Sequence, residues 1–337
     1  SCYICKIRYR VLHHFYDQLC PQCASLNWEK RFQSGDLRGR VGLVTGGRVK
    51  IGFHVALKLL RAGCHTIVTS RFPKDAAVRF AKQTDFDEWK SRLDIYGIDF
   101  RNIKGVEIFC AFLVATYSRL DVLINNACQT IRRPALYYAP LLKTEHLPLN
   151  SLPVGIEDVL SKQDRLSKSI RISQKLLPTI TPTSKTANPV EETKGRDQKT
   201  ELVNNNSGPI ESGENRDDII GVGSKAGLMT QLPVMTYDKH LDTKKMPTGV
   251  VDVNGQQVDL RRSNSWLLKI HEVQSGELAE VFAINAMAPF IINSKLLELM
   301  KKAPYPPEKS PKSSSEDDTR VRRFIINVSA MEGKFYR

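Results

Sequence analysis

The chain has 337 residues, of which 41% are hydrophobic, so its length and apolar content predict one large domain with appendages or two domains. Its formal net charge of +14 would suit a polyanionic partner, but the charge is spread along the sequence and counts only weakly for nucleic acid, which we do not expect to be a partner. No apolar run is long enough to cross a bilayer, and seven cysteines, an odd number, argue against a secreted disulfide framework, so we expect a cytoplasmic protein without a membrane span.

The first segment, residues 1–34, carries two CxxC pairs, written "CYIC" and "CPQC". Two thiolate pairs at this spacing can close a tetrahedral site, which predicts structural zinc held by Cys2, Cys5, Cys20 and Cys23. Two disulfides are the alternative and would need an oxidising compartment. His13 and His14 lie in the spacer, but four thiolates already fill the metal shell and leave no open position for chemistry. We interpret the segment as a small zinc module that contacts a protein partner.

Residues 35–128 alternate between strand-like and helical patterns. The apolar runs "VGLVT", "HTIVTS", "LDIYGID" and "DVLINNA" are typical of strands, and "IGFHVALKLLRAG" has helical spacing with Gly63 where a helix C-cap belongs. This alternation predicts an α/β fold, a doubly wound parallel sheet with helices on both faces. Ligands of such sheets bind where strand carboxyl ends meet helix N-termini, which predicts a phosphate-binding turn at "TGGRVKIG".

Residues 129–275 are poor in periodicity, and their middle, 181–218, is strongly polar. We predict a polar, largely disordered insertion, because a compact core cannot absorb so long a connection. The insertion follows the fourth strand, on the expected substrate side, so an insertion that shapes or obstructs the pocket is the alternative. Residues 276–337 then complete the fold with a long helix and the terminal strand "FIINVS", which the polar stretch "PPEKSPKSSSEDDTR" precedes.

Five features follow one order along the chain: "TGGRVKIG" after the first strand, Asp99 after the third, "NNAC" after the fourth, Asn285 in a long helix, and Ser329 after the last strand. This set resembles the short-chain dehydrogenase/reductase family over Arg40–Cys128 and Gly276–Arg337. Together with the cysteine module it looks like a plant-type subgroup. The resemblance implies a Rossmann-like fold, a nicotinamide cofactor, and hydride transfer between that cofactor and an alcohol or carbonyl substrate.

The resemblance also implies a set of cofactor-binding residues. They are Thr45, Gly46, Gly47, Arg48, Lys50, Ile51, Gly52, Ser70, Arg71, Asp99, Phe100, Asn125, Asn126 and Ala127. Lys50 replaces the middle glycine of the family's turn and would crowd the pyrophosphate, but its ammonium group beside Arg48 offsets this, so we expect retained binding. No acid follows the second strand before Asp75, which favours NADP over NAD, with Ser70 and Arg71 on the 2′-phosphate. A solvated surface arginine is the alternative interpretation of Arg71.

The family's proton transfer uses a tyrosine whose pKa a lysine four residues later lowers, with a serine on the substrate oxygen and an asparagine that orients a water. Ser329 and Asn285 match the serine and the asparagine. Tyr336 comes only seven residues after Ser329 and has no lysine at the required spacing, which indicates a loop aromatic. We therefore expect a chain truncated before the catalytic tyrosine and inactive as it stands, in a family whose substrates are small molecules.

The helical segment 277–300 is apolar on nearly every face, although a helix that covers a sheet needs only one apolar stripe. The surplus predicts that a homodimer partner or further C-terminal elements bury the outer side. Two other functions stay open. One is a non-catalytic dinucleotide-binding or scaffold protein whose zinc module recruits a partner. The other is a basic zinc-bearing nucleic-acid binder, which only the charge and the aromatic residues of the module favour.

Overall fold

The structure is a computed structural model that describes residues 1–175, 220–235, 238, 243–302 and 322–330. Within these residues the strands are β1 (Val41–Val44), β2 (His65–Ser70), β3 (Leu93–Gly97), β4 (Val122–Asn125) and β5 (Phe324–Asn327). The helices are α1 (Pro21–Arg31), α2 (Lys50–Arg61), α3 (Pro73–Ala81), α4 (Phe86–Trp89), α5 (Ile103–Thr116), α6 (Ala135–His146), α7 (Ile156–Lys175), α8 (Ser275–Phe282) and α9 (Ala288–Lys301). A π-helical turn, Ala283–Met287, joins α8 to α9, and a 3₁₀ helix spans Gly223–Gln231.

The strands form one parallel sheet in the order β3-β2-β1-β4-β5. The chain leaves β1 in one direction to build β2 and β3, then crosses to the other side for β4. The short apolar runs form strands because helices cover both faces of a parallel sheet, and most side chains of β1 to β4 are buried there, whereas those of β5 are exposed. The predicted Rossmann-like doubly wound α/β fold is therefore confirmed, and its topological switch point lies between β1 and β4.

Two apolar clusters fill the two faces of the sheet. On one face, α5 and α9 pack through Phe109 and Ile292, and on the other, α2 and α3 pack through Leu60 and Phe80. All four side chains are 0% exposed. Burying a side chain of this kind contributes about 1.5–3 kcal/mol. These contacts fix the strand ends that carry the predicted cofactor residues.

Helix α7, which belongs to the insertion, lies along the outer edge of β3. Ile156 joins the apolar cluster on one face of the sheet, and Leu166 joins the cluster on the other. The Gly97 N–H at the end of β3 donates to Gln163 Oε1 of this helix at 2.7 Å. A helix in this position shields the pairing groups of an edge strand.

Both flanks of the insertion, 129–275, carry helices in the residues that the structure describes, whereas the predicted disorder of its middle stays a prediction. The 3₁₀ helix Gly223–Gln231 packs against α6, α7 and β3, α7 also packs against β3, and α6 packs against α3. In α7 charged residues separate the apolar side chains that the helix buries, so the segment looked polar in the sequence. The polar middle, 181–218, and the stretch "PPEKSPKSSSEDDTR" lie outside the described residues.

The helical stretch Ser275–Lys301 consists of α8, the π-helical turn and α9. By length and composition alone it is long and apolar enough to cross a membrane. It has 27 residues and a mean hydropathy of 1.3 in its most apolar window. The expectation that no apolar run is long enough to cross a bilayer was therefore wrong for this helix. Ala288, Ile292 and Leu296, all 0% exposed, pack one side of it on the sheet. Core helices pass the same test, so the finding is weak support for a membrane span.

The other side of this helix is exposed in the single chain. Phe282 is 57% exposed and Phe290 is 73% exposed, and Phe324 of β5 is 50% exposed. Apolar residues on both sides of the helix agree with the surplus seen in the sequence. The homodimer through 277–300 stays a prediction.

Candidate cofactor-binding and metal-binding sites

The turn from β1 to α2 brings three chain segments into close contact. Gly46 has a φ of +68°, and a Cβ there would lie 2.9 Å from the Cα of Ala127. A Cβ on Gly52 would lie 2.4 Å from both Asn126 Nδ2 and the Gly46 carbonyl oxygen. No side chain fits at such distances, so the shape of the turn depends on both glycines.

Lys50 has the backbone conformation of the glycine that it replaces. Its φ is +53°, and its side chain is exposed. The left-handed region costs a residue with a Cβ roughly 1–2 kcal/mol. Lys50 therefore carries backbone strain that a glycine at this position would not.

We expect Lys50→Gly to raise the free energy of unfolding by about 0.5–1 kcal/mol, because glycine removes the left-handed strain but gives the unfolded chain more entropy. The matched control is Lys58→Gly, inside α2, which should lower the free energy by about 1 kcal/mol. Urea denaturation followed by circular dichroism measures both. A Lys50→Gly protein less stable than the wild type would contradict strain at this position.

The N-terminus of α2 offers groups that bind anions. No side chain caps this end, and the first turn contains no acidic residue. Its first N–H groups lack intrahelical partners and lie at the positive end of the helix dipole. Gly47 is fixed beside them by its N–H bond to the Thr69 carbonyl at 3.1 Å, while Ile51 is 60% exposed. This end of the sheet fits the pyrophosphate of a dinucleotide.

The Asn-Asn-Ala segment after β4 is hydrogen-bonded to the same turn. Asn126 Nδ2 donates to the carbonyl oxygens of Thr45 and Gly46 at 2.9 and 3.1 Å. Thr45 Oγ1 accepts from the N–H groups of Asn126 and Ala127, both at 3.0 Å. The structure therefore brings these two groups of predicted cofactor residues side by side.

Asn125 belongs to a row of three asparagine side chains below the turn. Its Nδ2 donates to Asn293 Oδ1 at 2.9 Å and to Asn327 Oδ1 at 2.8 Å. Its buried Oδ1 has no hydrogen-bond partner within the described part of the chain. An unpaired buried acceptor costs about 1–3 kcal/mol, so this oxygen suits a hydroxyl donor such as that of a cofactor ribose.

The two arginines predicted to bind the cofactor already have protein partners. Arg71, predicted on the 2′-phosphate, donates to the Tyr138 hydroxyl at 3.1 Å and lies 4.7 Å from the centre of that ring. Arg48, predicted beside Lys50 near the pyrophosphate, donates to Asp75 Oδ2 at 2.7 Å and to Gln256 Oε1 at 3.1 Å. Tyr138 and Gln256 both belong to the insertion. A 2′-phosphate would therefore compete with Tyr138 for Arg71.

Asp99 and Phe100, which the family resemblance implies on either side of the adenine, are covered as well. Asp99 is 0% exposed, its carboxylate accepts two bonds from the Arg101 guanidinium at 2.6 and 2.9 Å, and its N–H donates to the Gly221 carbonyl at 2.7 Å. Phe100, 5% exposed, packs in the apolar cluster, and Ser70 is 6% exposed. Adenine would need this part of the insertion to move aside.

Asn285 lies in the π-helical turn that interrupts the long helix. Its Oδ1 accepts from the Gln129 N–H at 2.8 Å, and its Nδ2 donates to the Gln129 carbonyl at 3.0 Å. Single π turns inside α-helices are frequent at functional sites. The predicted catalytic asparagine is thus fixed to the segment that follows β4.

Ser329 follows β5 and is exposed. The Val328 N–H beside it donates to the Asn125 carbonyl at 2.9 Å, which puts Ser329 at the same end of the sheet as the asparagine row. Tyr336 lies outside the described residues. The two predicted catalytic residues therefore belong to one end of the sheet, on different elements.

The four cysteines of the N-terminal module converge on one point. Their Sγ atoms all lie within 4.8 Å of one another, and those of Cys5 and Cys20 are 3.6 Å apart. In a tetrahedral site with zinc–sulfur bonds of about 2.3 Å the sulfur atoms are about 3.8 Å apart, whereas a disulfide needs about 2.05 Å. His13 and His14 instead lie against the Trp28 ring. The thiol geometry fits a tetrahedral divalent metal.

The backbone presents the two cysteine pairs on a turn and a helix end. Lys6 closes the first pair with a φ of +63° and an N–H bond to the Cys2 carbonyl at 3.0 Å. The second pair begins α1, where the Ala24 N–H donates to the Cys20 carbonyl at 2.8 Å. Burial raises the pKa of Cys2, but backbone N–H groups of Cys20 and Cys5 outweigh it and lower the pKa to about 6. A thiolate at Cys2 is therefore accessible at neutral pH.

Sequence reasoning missed the insertion residues that contact the predicted cofactor site. Tyr138, Gln256 and Gln163 meet partners that are between 66 and 208 positions away in the chain. A polar side chain carries no signal for so distant a contact. The adjacent tyrosines of "ALYY" in a polar segment were the one local hint of burial.

Residues 40–141 match the family model of the short chain dehydrogenases. The chain is 38% identical over 135 residues to uncharacterized protein R665 of Acanthamoeba polyphaga mimivirus, covering 39% of this chain and 29% of that protein. It is 27% identical over 164 residues to retinol dehydrogenase 14 of Mus musculus, covering 42% and 46%. It is 32% identical over 91 residues to (-)-isopiperitenone reductase of Mentha piperita, covering 26% and 28%. The chain spans less than half the length of these curated relatives.

Two solved structures overlap with part of the fold. The N-domain of a bacterial malonyl-CoA reductase with NADP is 30% identical, with a TM-score of 0.26, covering 33% of this chain and 22% of that one. The Pseudomonas aeruginosa RhlG/NADP active-site complex is 22% identical, with a TM-score of 0.26, covering 41% and 50%. Each overlap leaves more than half of this chain unmatched.

Proposed function

We propose that the chain, whose residues 40–141 match the short chain dehydrogenase model, is a member of the short-chain dehydrogenase/reductase family, and that it binds NADP(H) at the carboxyl ends of β1, β2 and β4 for hydride transfer to or from a small alcohol or carbonyl compound. The turn from β1 to α2 carries this proposal. Gly46 and Gly52 allow no side chain, and Lys50 keeps a glycine-like φ of +53°. A sequence under no constraint to cradle a phosphate has no reason to retain this strained path.

Bound cofactor would supply or accept the hydride, and the residues that the structure describes would bind the cofactor and orient the substrate oxygen. The helix end and Lys50 would neutralise the pyrophosphate charge. Asn285, held by Gln129, would orient a water in the proton relay, and the Ser329 hydroxyl would donate to the substrate oxygen. The Asn125 oxygen would accept from a ribose hydroxyl.

We expect Arg71→Ala to weaken NADPH binding about 10- to 100-fold and to change NADH binding less than about threefold, because only NADPH carries a phosphate for the guanidinium to neutralise. Fluorescence titration of each reduced nucleotide against the purified chain measures both dissociation constants. Arg61→Ala is the matched control, since it removes an arginine at the far end of α2 that binds Asp85, and should change neither constant.

The outcomes answer two separate questions: whether the chain binds a nicotinamide cofactor, and whether Arg71 makes it prefer NADPH. If Arg71→Ala weakens the binding of NADPH and NADH equally, the arginine supports the fold and does not contact the 2′-phosphate. If NADPH binding is unchanged, Arg71 has no role in binding the cofactor. A wild-type chain that takes up neither nucleotide at millimolar concentration would overturn the cofactor proposal itself.

The contacts of the insertion favour one rival function, a scaffold in which nucleotide binding has been lost. Tyr138 on Arg71, Gln256 on Arg48 and Gly221 on Asp99 occupy the adenosine side from within the chain. In an enzyme these groups must exchange with the cofactor, whereas in a scaffold they are permanent. The NADPH titration distinguishes the two functions.

We also propose that residues 1–34 hold one structural zinc ion in a reducing compartment, the cytoplasm. The convergence of four unbridged cysteines supports this, because disulfides would have removed the thiolates that zinc needs. The module exposes apolar side chains, with Ile7 at 61%, Val11 at 68% and Leu12 at 67%. These residues support a role in binding a protein partner.

A further inference from the structure

Helix α6 of the insertion covers the turn from β2 to α3, where Arg71 lies. The Tyr138 ring of α6 is stacked on the Phe72 ring, with the centres 5.6 Å apart and 25° between the planes. The Arg71 guanidinium lies 4.7 Å from the centre of the Tyr138 ring and donates to its hydroxyl at 3.1 Å. An aromatic ring with a polar oxygen therefore lies on the side chain that is predicted to bind the 2′-phosphate, in a contact of the kind that a nucleotide makes with an arginine.

Reciprocal hydrogen bonds hold the other end of α6 against the start of α3. The Glu145 carboxylate accepts from the N–H groups of Asp75 and Lys74 at 2.9 and 3.2 Å, which satisfies two donors that have no partner within α3. The Lys74 ammonium group donates in return to the carbonyl oxygen of Glu145 at 2.8 Å and to that of Leu147. Helix α6 is therefore fixed to α3 at one end and to Arg71 at the other.

A tight turn of the insertion, residues 252–256, covers Arg48. Asp252 Oδ1 accepts from two N–H groups of this turn at 2.8 and 2.9 Å, which fixes its shape. Gln256 Oε1 accepts from the Arg48 guanidinium at 3.1 Å. The Arg79 guanidinium of α3 donates to two carbonyl oxygens of the turn, both at 2.9 Å. The turn is therefore bound both to a predicted cofactor residue and to the helix beside it.

The same turn brings a negative charge near Lys50. Burial raises the pKa of Asp252, but the N–H groups of Gln256 and Asn254 and the positive charge of Lys50 outweigh this effect and lower the pKa. Lys50 is the first residue of α2, at the helix end where the pyrophosphate is proposed to bind. A carboxylate in this place compensates the charge that a phosphate group would compensate.

The three basic residues of the predicted cofactor set thus each face a group from the insertion. Lys50 faces a carboxylate, Arg48 an amide oxygen and Arg71 a phenol. Each of these groups offers an oxygen that takes the place of a phosphate oxygen. When an internal group and a ligand compete for the same side chains, the apparent affinity for the ligand falls in proportion to the fraction of molecules in which the internal group has left.

We propose that the insertion is an autoinhibitory segment that competes with NADP(H) for the phosphate-binding side chains of the Rossmann fold. Helix α6 and the turn 252–256 cover these side chains in the free chain and leave them when the cofactor binds. The inference rests on the proposed NADP(H) site and adds what limits access to it. The insertion then sets the cofactor concentration at which the site fills.

Two substitutions distinguish the two parts of the competitor by the nucleotide that each favours. Tyr138→Phe keeps the ring but removes the hydroxyl on Arg71, so it should tighten NADPH binding at least about threefold and change NADH binding less than about 1.5-fold, because only NADPH has a 2′-phosphate. Asp252→Asn keeps an acceptor for its own turn but removes the charge, so it should tighten both nucleotides at least about threefold, because both have a pyrophosphate. Fluorescence titration of each reduced nucleotide measures the dissociation constants.

Tyr137→Phe and Asp87→Asn are the matched controls. Tyr137 is the neighbouring residue of α6, and its ring lies 5.1 Å from the Arg133 guanidinium. Asp87 is an exposed residue of α4, which precedes the amino end of β3, and it binds Lys90. The first control removes a hydroxyl and the second removes a carboxylate charge, as the test variants do. Neither control should change either dissociation constant.

Hydrogen exchange of the wild type with saturating NADPH reports on the displacement itself. We expect exchange to become faster in α6 and in residues 252–256 and slower at the β1–α2 turn, because the insertion leaves as the cofactor arrives. A lid that closes over the cofactor would slow exchange in all three places. Slower or unchanged exchange in α6 would therefore overturn the proposal.

The titrations distinguish failure of this proposal from failure of the cofactor site. If the wild type binds NADPH and neither Tyr138→Phe nor Asp252→Asn binds it more tightly, the insertion does not compete and only this proposal is overturned. If only the chain with both substitutions binds NADPH, the insertion closes the site in the wild type and the proposal is supported. If neither the wild type nor the double variant binds NADPH at millimolar concentration, the cofactor proposal fails and this one fails with it.

Discussion

Replacement of Gly52 by valine is expected to reduce NADPH affinity more than about 100-fold. Even the Cβ would lie 2.4 Å from Asn126 Nδ2 and from the Gly46 carbonyl, so the turn must open or Asn126 must leave it. Either movement breaks the bonds from Asn126 to Thr45 and Gly46 and displaces the helix end that would hold the pyrophosphate. Fluorescence titration with NADPH measures the loss, and circular dichroism checks that the sheet remains.

Gly35→Val is the matched control for this experiment, because a Cβ at Gly35 meets nothing within 4 Å. It should bind NADPH like the wild type. Gly52→Ala is a milder variant in case the valine protein does not fold, and it should still lose about tenfold or more, since the clash begins at the Cβ. A Gly52→Ala protein that binds NADPH within about twofold of the wild type would show that the nucleotide does not depend on this turn.

The parts of the site that the sequence predicted are those whose signals are local. The strand, the glycines and the helix that make the β1–α2 turn are adjacent in the chain, so "VGLVTGGRVKIG" contains the turn itself, although not its contacts with Thr69, Asn126 and Ala127. The order of the motifs then indicated the sheet, which the strand order β3-β2-β1-β4-β5 confirms. Even Lys50 was visible as a departure, although its strained φ follows from tertiary contacts that the sequence does not display.

Helix α7 shows why the insertion was underestimated. Ile156, Val159, Leu160 and Leu166 recur at helical spacing and are all 4% exposed or less, yet charged residues between them lower the mean hydropathy of the segment. Two polar contacts join this helix to β3, from Gly97 to Gln163 and from Lys162 to Asp94, and their partners are 66 and 68 positions apart in the chain. The amino-acid composition of such a helix is dominated by its exposed polar residues. It therefore does not reveal the narrow row of apolar side chains that packs against the sheet.

Contacts between residues far apart in the chain also explain why the sequence did not reveal the partners of Arg48 and Arg71. From the sequence, Arg48 and Arg71 were expected to be available for a phosphate. Asp75 is the only acidic residue close to them in the chain. In the fold, Gln256 and Tyr138 reach them across 208 and 67 positions. A buried cation needs a partner whether or not a ligand is present, so a distant side chain supplies one.

Replacement of Cys20 by serine is expected to abolish stoichiometric zinc binding and to unfold the N-terminal module. Cys20 is 7% exposed and precedes α1, and its Sγ lies 3.6 Å from that of Cys5, so a serine cannot replace it in the metal shell. Zinc contributes about 10–16 kcal/mol to the folding of comparable small modules at neutral pH. The wild type should carry one zinc per chain by elemental analysis and the variant less than about 0.1. Hydrogen exchange should speed up in residues 1–34 and stay slow in β1 to β4.

Cys128→Ser is the matched control, because it removes an exposed thiol outside the cluster. It should retain one zinc and an unchanged exchange pattern. Chelation of the wild type should reproduce the exchange pattern of Cys20→Ser, since loss of the metal and loss of one ligand leave the same uncompensated thiols. If the wild type carries no zinc after expression in zinc-supplemented medium, or if Cys20→Ser retains the full amount, the four cysteines do not form a zinc site. Disulfide formation under mild oxidation would then identify the alternative pairing.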